Sequence, residues 1–436
     1  MSSKQACTLL VAGQTVPCPR YNAARDRTGY RGRMMSYLKE TARREGLLFV
    51  LLVFGASRLL YLAAGSFFAG VVPVSRFQAV TMDVPFGSMG LWSHWDGEHY
   101  VALAAGGYLQ PPEFVSPAFF PLYPLLMRSF AELFGGPVTW GALSVWGPLI
   151  SLAALPLGLF FVYRIAEEQW DAGVARGAVL ALAFFPTAFF LNAAYTESLF
   201  LALSAGSLWA ARVRRDLLLA CALAGLATAT RNVGVFLLVP LAYEWFRNRD
   251  AYRWRGLYLA LAPSGLAAYA AYLWARFGDP LLFYTDQRKW GREPAGPVAT
   301  VVKSWRAAAE GAGRLLDPVL WSDPSLAKLA DHLAGAANLY NLLFFLFAVV
   351  VLLAGLRDLP PDLALYAFLL VLPAALFGTP QDPLMGAPRY VLVAFPLFIV
   401  LGMLHKNRPV FATGIVFSTL VSLVFCALFV SWRFVA

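Results

Sequence analysis

The stretch "LLFVLLVFGASRLLYLAAGSFFA", residues 47–69, decides what kind of molecule this is. It runs for 23 residues with a single charge, Arg58. About 20 apolar residues in a helix cross the ~30 Å of bilayer hydrocarbon, so the segment predicts a membrane span. The rest of the chain agrees. Of its 436 residues 59% are hydrophobic and 14% charged, and the mean hydropathy is +0.61. A soluble domain carries about 25% charged residues. No strand-like alternation recurs, which favours a helical bundle over a barrel.

The net charge of +10 invites a nucleic-acid reading, but its location excludes one. Residues 1–46 hold nine Lys/Arg against three acids, a cytoplasmic flank ahead of a first span. Residues 1–34 lack periodicity and carry no signal-peptide pattern, so they read as a disordered cytoplasmic leader. Cys7, Cys18, Cys221 and Cys426 show neither a disulfide framework nor metal-ligand spacing.

Residues 35–436 read as one transmembrane domain. Eleven spans are expected, near 47–69, 139–163, 174–193, 196–211, 216–230, 232–246, 256–276, 336–356, 362–377, 389–404 and 409–431. Arg164, Arg176, Arg212, Arg214, Arg215, Arg247, Arg249, Arg253, Arg255, Arg357, Lys406 and Arg408 then share the side of the N-terminal flank. By the positive-inside rule this puts the N-terminus inside and the C-terminus outside. Two long loops, 70–138 and 277–335, face the exterior and read as carrying interfacial helices. The second balances seven basic residues with seven acidic ones. No internal repeat of the transporter kind is visible.

Polarity concentrates in the first loop, at "HWDGEHY", residues 94–100. On residue chemistry alone, Asp96 could be no more than a helix N-cap at the membrane surface. The following "FFPLYP", 119–124, could be an interfacial anchor broken by prolines. His94 and His99 are spaced i to i+5, poor for two ligands on one helical face, and read as hydrogen-bonded interfacial residues. No metal site and no required cofactor is expected; metal dependence stays open.

Taken together these pieces resemble the PIG-V family of mannosyltransferases. The family pattern is a Trp-Asp followed by an aromatic, a Gly-Tyr some ten residues on, and Phe-Phe-Pro-Leu-Tyr-Pro. Here it reads Trp95-Asp96, His99-Tyr100, Gly107-Tyr108 and Phe119 to Pro124. "NAAYTESLF" (192–200), "ATRNVGV" (229–235) and "PRYVLVAFPLF" (388–398) look like later signatures. The resemblance runs from about Ser57 to Phe398. It implies a GT-C type glycosyltransferase using a polyprenyl-phosphate sugar, mannose in this family, at the exterior face. It also implies that Asp96 is the catalytic base.

The chemistry fits that assignment. An acceptor hydroxyl must lose its proton as it attacks the anomeric carbon, and a carboxylate is the usual proton acceptor. One base, without a second flanking carboxylate acting as nucleophile, leads to inversion. The departing lipid phosphate needs cations, for which the candidates are Arg58, Arg231 and Arg389. Each has a plainer reading: a buried structural pair for Arg58, interfacial snorkelling for the others. The substrate pocket is expected to draw on Trp95, Glu98, His99, Tyr100, Tyr123, Tyr195, Glu197 and Tyr390. Glu98 reads as a structural or solvated partner rather than the base.

The expected partners are a polyprenyl-phosphate sugar, a lipid or glycan acceptor, and membrane lipids. The expected location is a plasma membrane with the site extracytoplasmic, or the endoplasmic reticulum in a eukaryote. A lipid or glycolipid transporter without transferase chemistry is the alternative. It also wants many spans and a few buried charges, but places them near the midplane. A non-catalytic scaffold has no positive feature in its favour.

Overall fold

A computed structural model describes residues 8–11, 14–17, 27–75, 89–108, 116–134, 138–318 and 325–435. The chain divides into two compact units, 1–48 and 49–436. Within the first, strands Thr8–Val11 and Gln14–Pro17 pair antiparallel, Thr8 opposite Pro17. The helix Arg27–Val71 begins there. The two strands and the start of this helix fall inside residues 1–34, the leader read as disordered, whose other residues, 1–7, 12–13 and 18–26, lie outside the described ones.

The larger unit is a helical, polytopic membrane bundle. Each of the eleven expected spans falls on helical structure. Among the described residues, five helices are long and apolar enough to cross a membrane: Arg44–Val71, Trp140–Gln169, Arg249–Phe277, Ala337–Gly355 and Arg408–Val430. A sixth span forms if Ala387–Val393 and Phe395–Lys406, bent by 71°, count as one. The remaining segments are shorter. Ala172–Ala183 and Leu217–Thr228 have 12 residues each, roughly 18 Å of α-helix. The expected spans 174–193 and 232–246 each prove to be an α-helix joined to a 3₁₀ segment, Ala188–Asn192 and Asn232–Leu237. Those breaks matter, because the chain turns toward the functional site at each.

Sequence explains the ends and the packing. Asp171 and Asp216 accept from the backbone N–H groups of Val174 and Leu219, at 2.8 and 3.0 Å, capping helices that would otherwise bury free donors. Small residues let the helices approach. A Cβ on Gly177 would lie 2.7 Å from the carbonyl oxygen of Gly402, and one on Gly147 would lie 2.6 Å from Cβ of Ala194. The core is aromatic and aliphatic, with Tyr163, Phe200, Phe395 and Phe398 all sealed. Outer helices turn Leu52, Leu59, Leu353, Phe417 and Leu420 outward, as a lipid-facing surface requires.

The bundle has two distinct ends. At one, Arg212 pairs with Asp362 and donates to Gln169, while His405 packs against Gly173. These are loops that the charge pattern places inside. At the other, the two long loops meet. Ser116 hydrogen-bonds Asp286, and the Tyr269 hydroxyl donates to the carbonyl of Pro117 at 2.7 Å.

Candidate active site

A cavity of about 690 Å³ opens at the second end, floored by the first turn of the helix Asp96–Gly106. The chain enters that helix through Trp95, whose φ of +59° is costly for a side chain of this size. Tyr195 holds the turn in place. Its hydroxyl donates to the His94 carbonyl and accepts from the Asp96 N–H, both at 3.2 Å. Gly97 sits close on Ala194, so the first helical turn and the 193–196 turn pack as one piece. Asp96 is the first helical residue and its side chain caps nothing; Trp95 occupies the cap position. The plain N-cap reading therefore fails.

The Asp96 carboxylate instead meets Arg389, with Oδ2 2.5 Å from Nη1. Arg389 lies in the short helix Ala387–Val393, the first half of the broken span. Its Nε donates to Glu197 Oε1 at 2.7 Å, and its guanidinium lies 4.6 Å from the centre of the Tyr195 ring. Glu197 is fully buried and also receives Arg231 at 2.9 Å. Asp96, Arg389, Glu197 and Arg231 thus form one chain of alternating charge. Two acids and two bases compensate each other where water is scarce, and an isolated charge would be strongly disfavoured. The Asp96 side chain keeps 30% of its surface open toward the cavity, whereas Glu197 is sealed behind.

Electrostatics separate the two acids of the first helical turn. Burial by itself would raise the Asp96 carboxyl. The charge and hydrogen bond of Arg389, with His99 and Arg292 beyond, more than offset that and hold it below the usual carboxylate range. Glu98 has no such cation, and burial pushes it up to about 7. His94, stacked on Trp432 with centroids 4.2 Å apart, is pushed by burial down to about 4 and is neutral. Among the described residues, no three His, Cys, Asp or Glu side chains gather as metal ligands would.

The cavity lining takes in Trp95, Asp96, Glu98, His99, Tyr100, Arg231, Arg389 and Tyr390 from the residues singled out in the sequence. Tyr195 and Glu197 stand directly behind it. Two others are elsewhere. Tyr123 is sealed, donates to the Gly147 carbonyl at 2.7 Å, and supports the ring of Tyr100 from outside the cavity. Arg58 does not line the cavity either. Its guanidinium binds the carbonyls of Ala188 and Ala183, both at 2.9 Å, and Asn192 Oδ1 at 2.7 Å. It fixes the 3₁₀ segment that leads to Tyr195 and Glu197, a structural task.

Sequence reasoning also missed residues. Arg292, on the second long loop, lines the cavity and reaches Tyr390 Oη at 3.4 Å and the Met385 carbonyl at 3.5 Å. A two-residue bridge, Glu293 opposite Gly378, delivers it there. Trp432 and Phe434, beyond the last span, form a wall against Trp95 at 5.8 and 5.5 Å. Arg433 pins that tail to Asp331 and to the Pro73 carbonyl, each at 2.7 Å. Nothing local marks these residues; only the long-range fold gathers them.

The chain is similar to several known proteins. The family described as mannosyltransferase (PIG-V) matches residues 71–251. Human GPI alpha-1,6-mannosyltransferase 2 is 30% identical over 179 residues, 37% of this chain and 34% of that protein. GPI mannosyltransferase 2 of Drosophila pseudoobscura pseudoobscura is 30% identical over 118 residues, 24% of each. The matches thus span about a quarter to a third of these relatives. Among solved structures, ArnT from Cupriavidus metallidurans bound to undecaprenyl phosphate aligns with a TM-score of 0.36 at 16% identity, over 83% of this chain and 78% of that one. The Archaeoglobus fulgidus oligosaccharyltransferase gives 0.41 at 15%, over 92% and 57%. Over residues 71–251, the segment that carries Asp96, Glu197 and Arg231, the chain matches the PIG-V mannosyltransferase family.

Proposed function

We propose that the protein is a GT-C type membrane glycosyltransferase that moves a hexose, mannose by family resemblance, from a polyprenyl-phosphate donor to a lipid or glycan acceptor. The observation that carries the reading is the charge chain itself. Asp96, Arg389 and Arg231 line one cavity with Glu197 sealed behind them, and beside them lies Arg292, which meets no carboxylate among the described residues. Transporters tend to set their charges near the bilayer midplane, whereas these gather at one end of the bundle.

In this reading Asp96 takes the acceptor hydroxyl proton. The acceptor oxygen bonds to the anomeric carbon as the bond from that carbon to the phosphate oxygen breaks, and the lipid phosphate leaves with the electron pair. Attack opposite the leaving group inverts the centre. A carboxylate with a depressed pKa is always available but weakly basic. The donor phosphate corrects this when it draws Arg389 away from Asp96, because losing that hydrogen bond raises the basicity of the carboxylate. Arg292 and Arg231 complete the phosphate cradle, where guanidinium forks suit the oxygens. The loops at this end are those the positive-inside rule puts outside, which supports an extracytoplasmic site.

The test is transfer of radiolabelled mannose by purified protein from polyprenyl-phosphate mannose to membrane lipid extract. Product that is lost on Arg292→Met, with donor affinity falling about tenfold, supports the reading. Absence of transfer together with saturable lipid uptake into vesicles would favour the transporter instead.

A further inference from the structure

Glu98, read from the sequence as a structural or solvated partner in the substrate pocket, has an oxygen without a partner. It lines the cavity two residues beyond Asp96, yet its Oε1 is buried and has no hydrogen-bond partner. None of the arginines around the cavity meets Glu98 among the described residues. Arg389 holds Asp96 and Glu197, Arg231 holds Glu197, and Arg292 rests on Tyr390. A carboxyl oxygen withdrawn from water without a partner is destabilising, and in a cavity it marks a place where a ligand completes the bonding.

The surroundings say what kind of ligand. In the chain Glu98 lies between two residues that each join a group of ring faces on the cavity wall. Trp95 stands with Trp432 and Phe434. His99 stacks on Phe119 at 4.8 Å and meets Trp290 edge-on at 5.0 Å. A polar group set among aromatic faces suits a ligand that is apolar on its faces and hydroxylated at its rim, which describes a pyranose. A phosphate is disfavoured, because it would bring negative charge to a carboxyl that no cation neutralises. With its pKa near 7 the carboxyl is present both as acid and as carboxylate at neutral pH, so it can donate to or accept from a hydroxyl.

We infer that Glu98 is a sugar-recognition residue, binding a pyranose hydroxyl while the flanking aromatic rings take the sugar's face. The inference rests on the glycosyltransferase reading for its biological sense, but not for its test. The hydroxyl belongs either to the sugar of the donor or to a sugar of the acceptor.

Wild type, Glu98→Gln and Glu98→Ala in nanodiscs are titrated with three probes: polyprenyl-phosphate mannose, polyprenyl phosphate, and methyl α-mannoside under saturating polyprenyl phosphate. Glu98→Ala should weaken the first or the third at least tenfold, the first identifying a donor sugar and the third an acceptor sugar. Its affinity for polyprenyl phosphate should stay within twofold. Glu98→Gln, which still donates and accepts, should remain within about threefold of wild type and lose the pH dependence of sugar affinity between pH 6 and 8. Wild-type affinity of Glu98→Ala for both sugar probes overturns the proposal, as does a parallel loss of polyprenyl phosphate or a wild-type protein that binds neither sugar. A protein that binds sugar through Glu98 but transfers none would retire the enzyme reading alone.

Discussion

Two arginines, Arg58 and Arg389, look alike in the sequence and do different work. Each interrupts or opens an apolar segment, and each has little contact with solvent. Arg58 is met by backbone carbonyls and an amide oxygen, with no carboxylate among its hydrogen-bond partners. Arg389 is met by two carboxylates and borders a cavity. Carbonyl partners fix an arginine in one place and spend its donors on the fold. Carboxylate partners facing a cavity leave a charge pattern that an incoming anion can rearrange. The cost of burying a charge therefore says that partners exist, not that a substrate is among them.

The sharpest way to break this contrast is to keep the charge and remove the fork. Arg389→Lys cannot reach Asp96 and Glu197 together as the guanidinium does, so transfer should fall about 100-fold or more while the protein still folds. A fully active lysine variant would make Arg389 as structural as Arg58. The reciprocal change is Arg58→Met. It strands the carbonyls of Ala183 and Ala188 and should cost about 2–4 kcal/mol of stability, read by chemical unfolding in detergent. The turnover of the molecules that remain folded should match wild type. A specific loss of donor affinity in that variant would return Arg58 to the site.

A smaller effect sharpens the comparison within the first helical turn, between Asp96 and Glu98. Burial holds the Glu98 proton up to about pH 7 in the folded state, whereas an exposed glutamate releases it near ~4.3. The stability tied to that proton is present below the lower value and is lost as pH rises to the higher one. Glu98→Gln should remove the loss. Between pH 5 and 8 its stability should fall about 1 kcal/mol less than wild type, a figure discounted because the site is partly open. Equal pH profiles would mean that Glu98 is as well compensated as Asp96.

Much of this was legible in the residues. Each apolar stretch read as a span lies on helical structure, although among the described residues only five helices, or six with the bent pair, are long and apolar enough to cross a membrane. The motif at 94–100 found the carboxylate. Three things were not legible, for one reason. Arg292, Trp432 and Phe434 sit in segments without local pattern and reach the cavity only through long-range contacts, the Glu293–Gly378 bridge and the Arg433 anchor. Tyr123 belongs to the same motif as Phe119 but turns into the packing behind Tyr100, which a linear motif does not record. Span lengths misled where helices break, because a 3₁₀ segment is as apolar as the helix it continues.

The central claim is that Asp96 does chemistry, and Asp96→Asn tests it most directly. The amide keeps the size of the side chain and one acceptor oxygen for Arg389. Polyprenyl-phosphate mannose should therefore bind within a few-fold of wild type, and the unfolding transition should move little. Single-turnover transfer should fall by roughly 10²–10⁴-fold, the range for loss of a general base. An Asp96→Asn protein that transfers mannose at the wild-type rate would contradict the account.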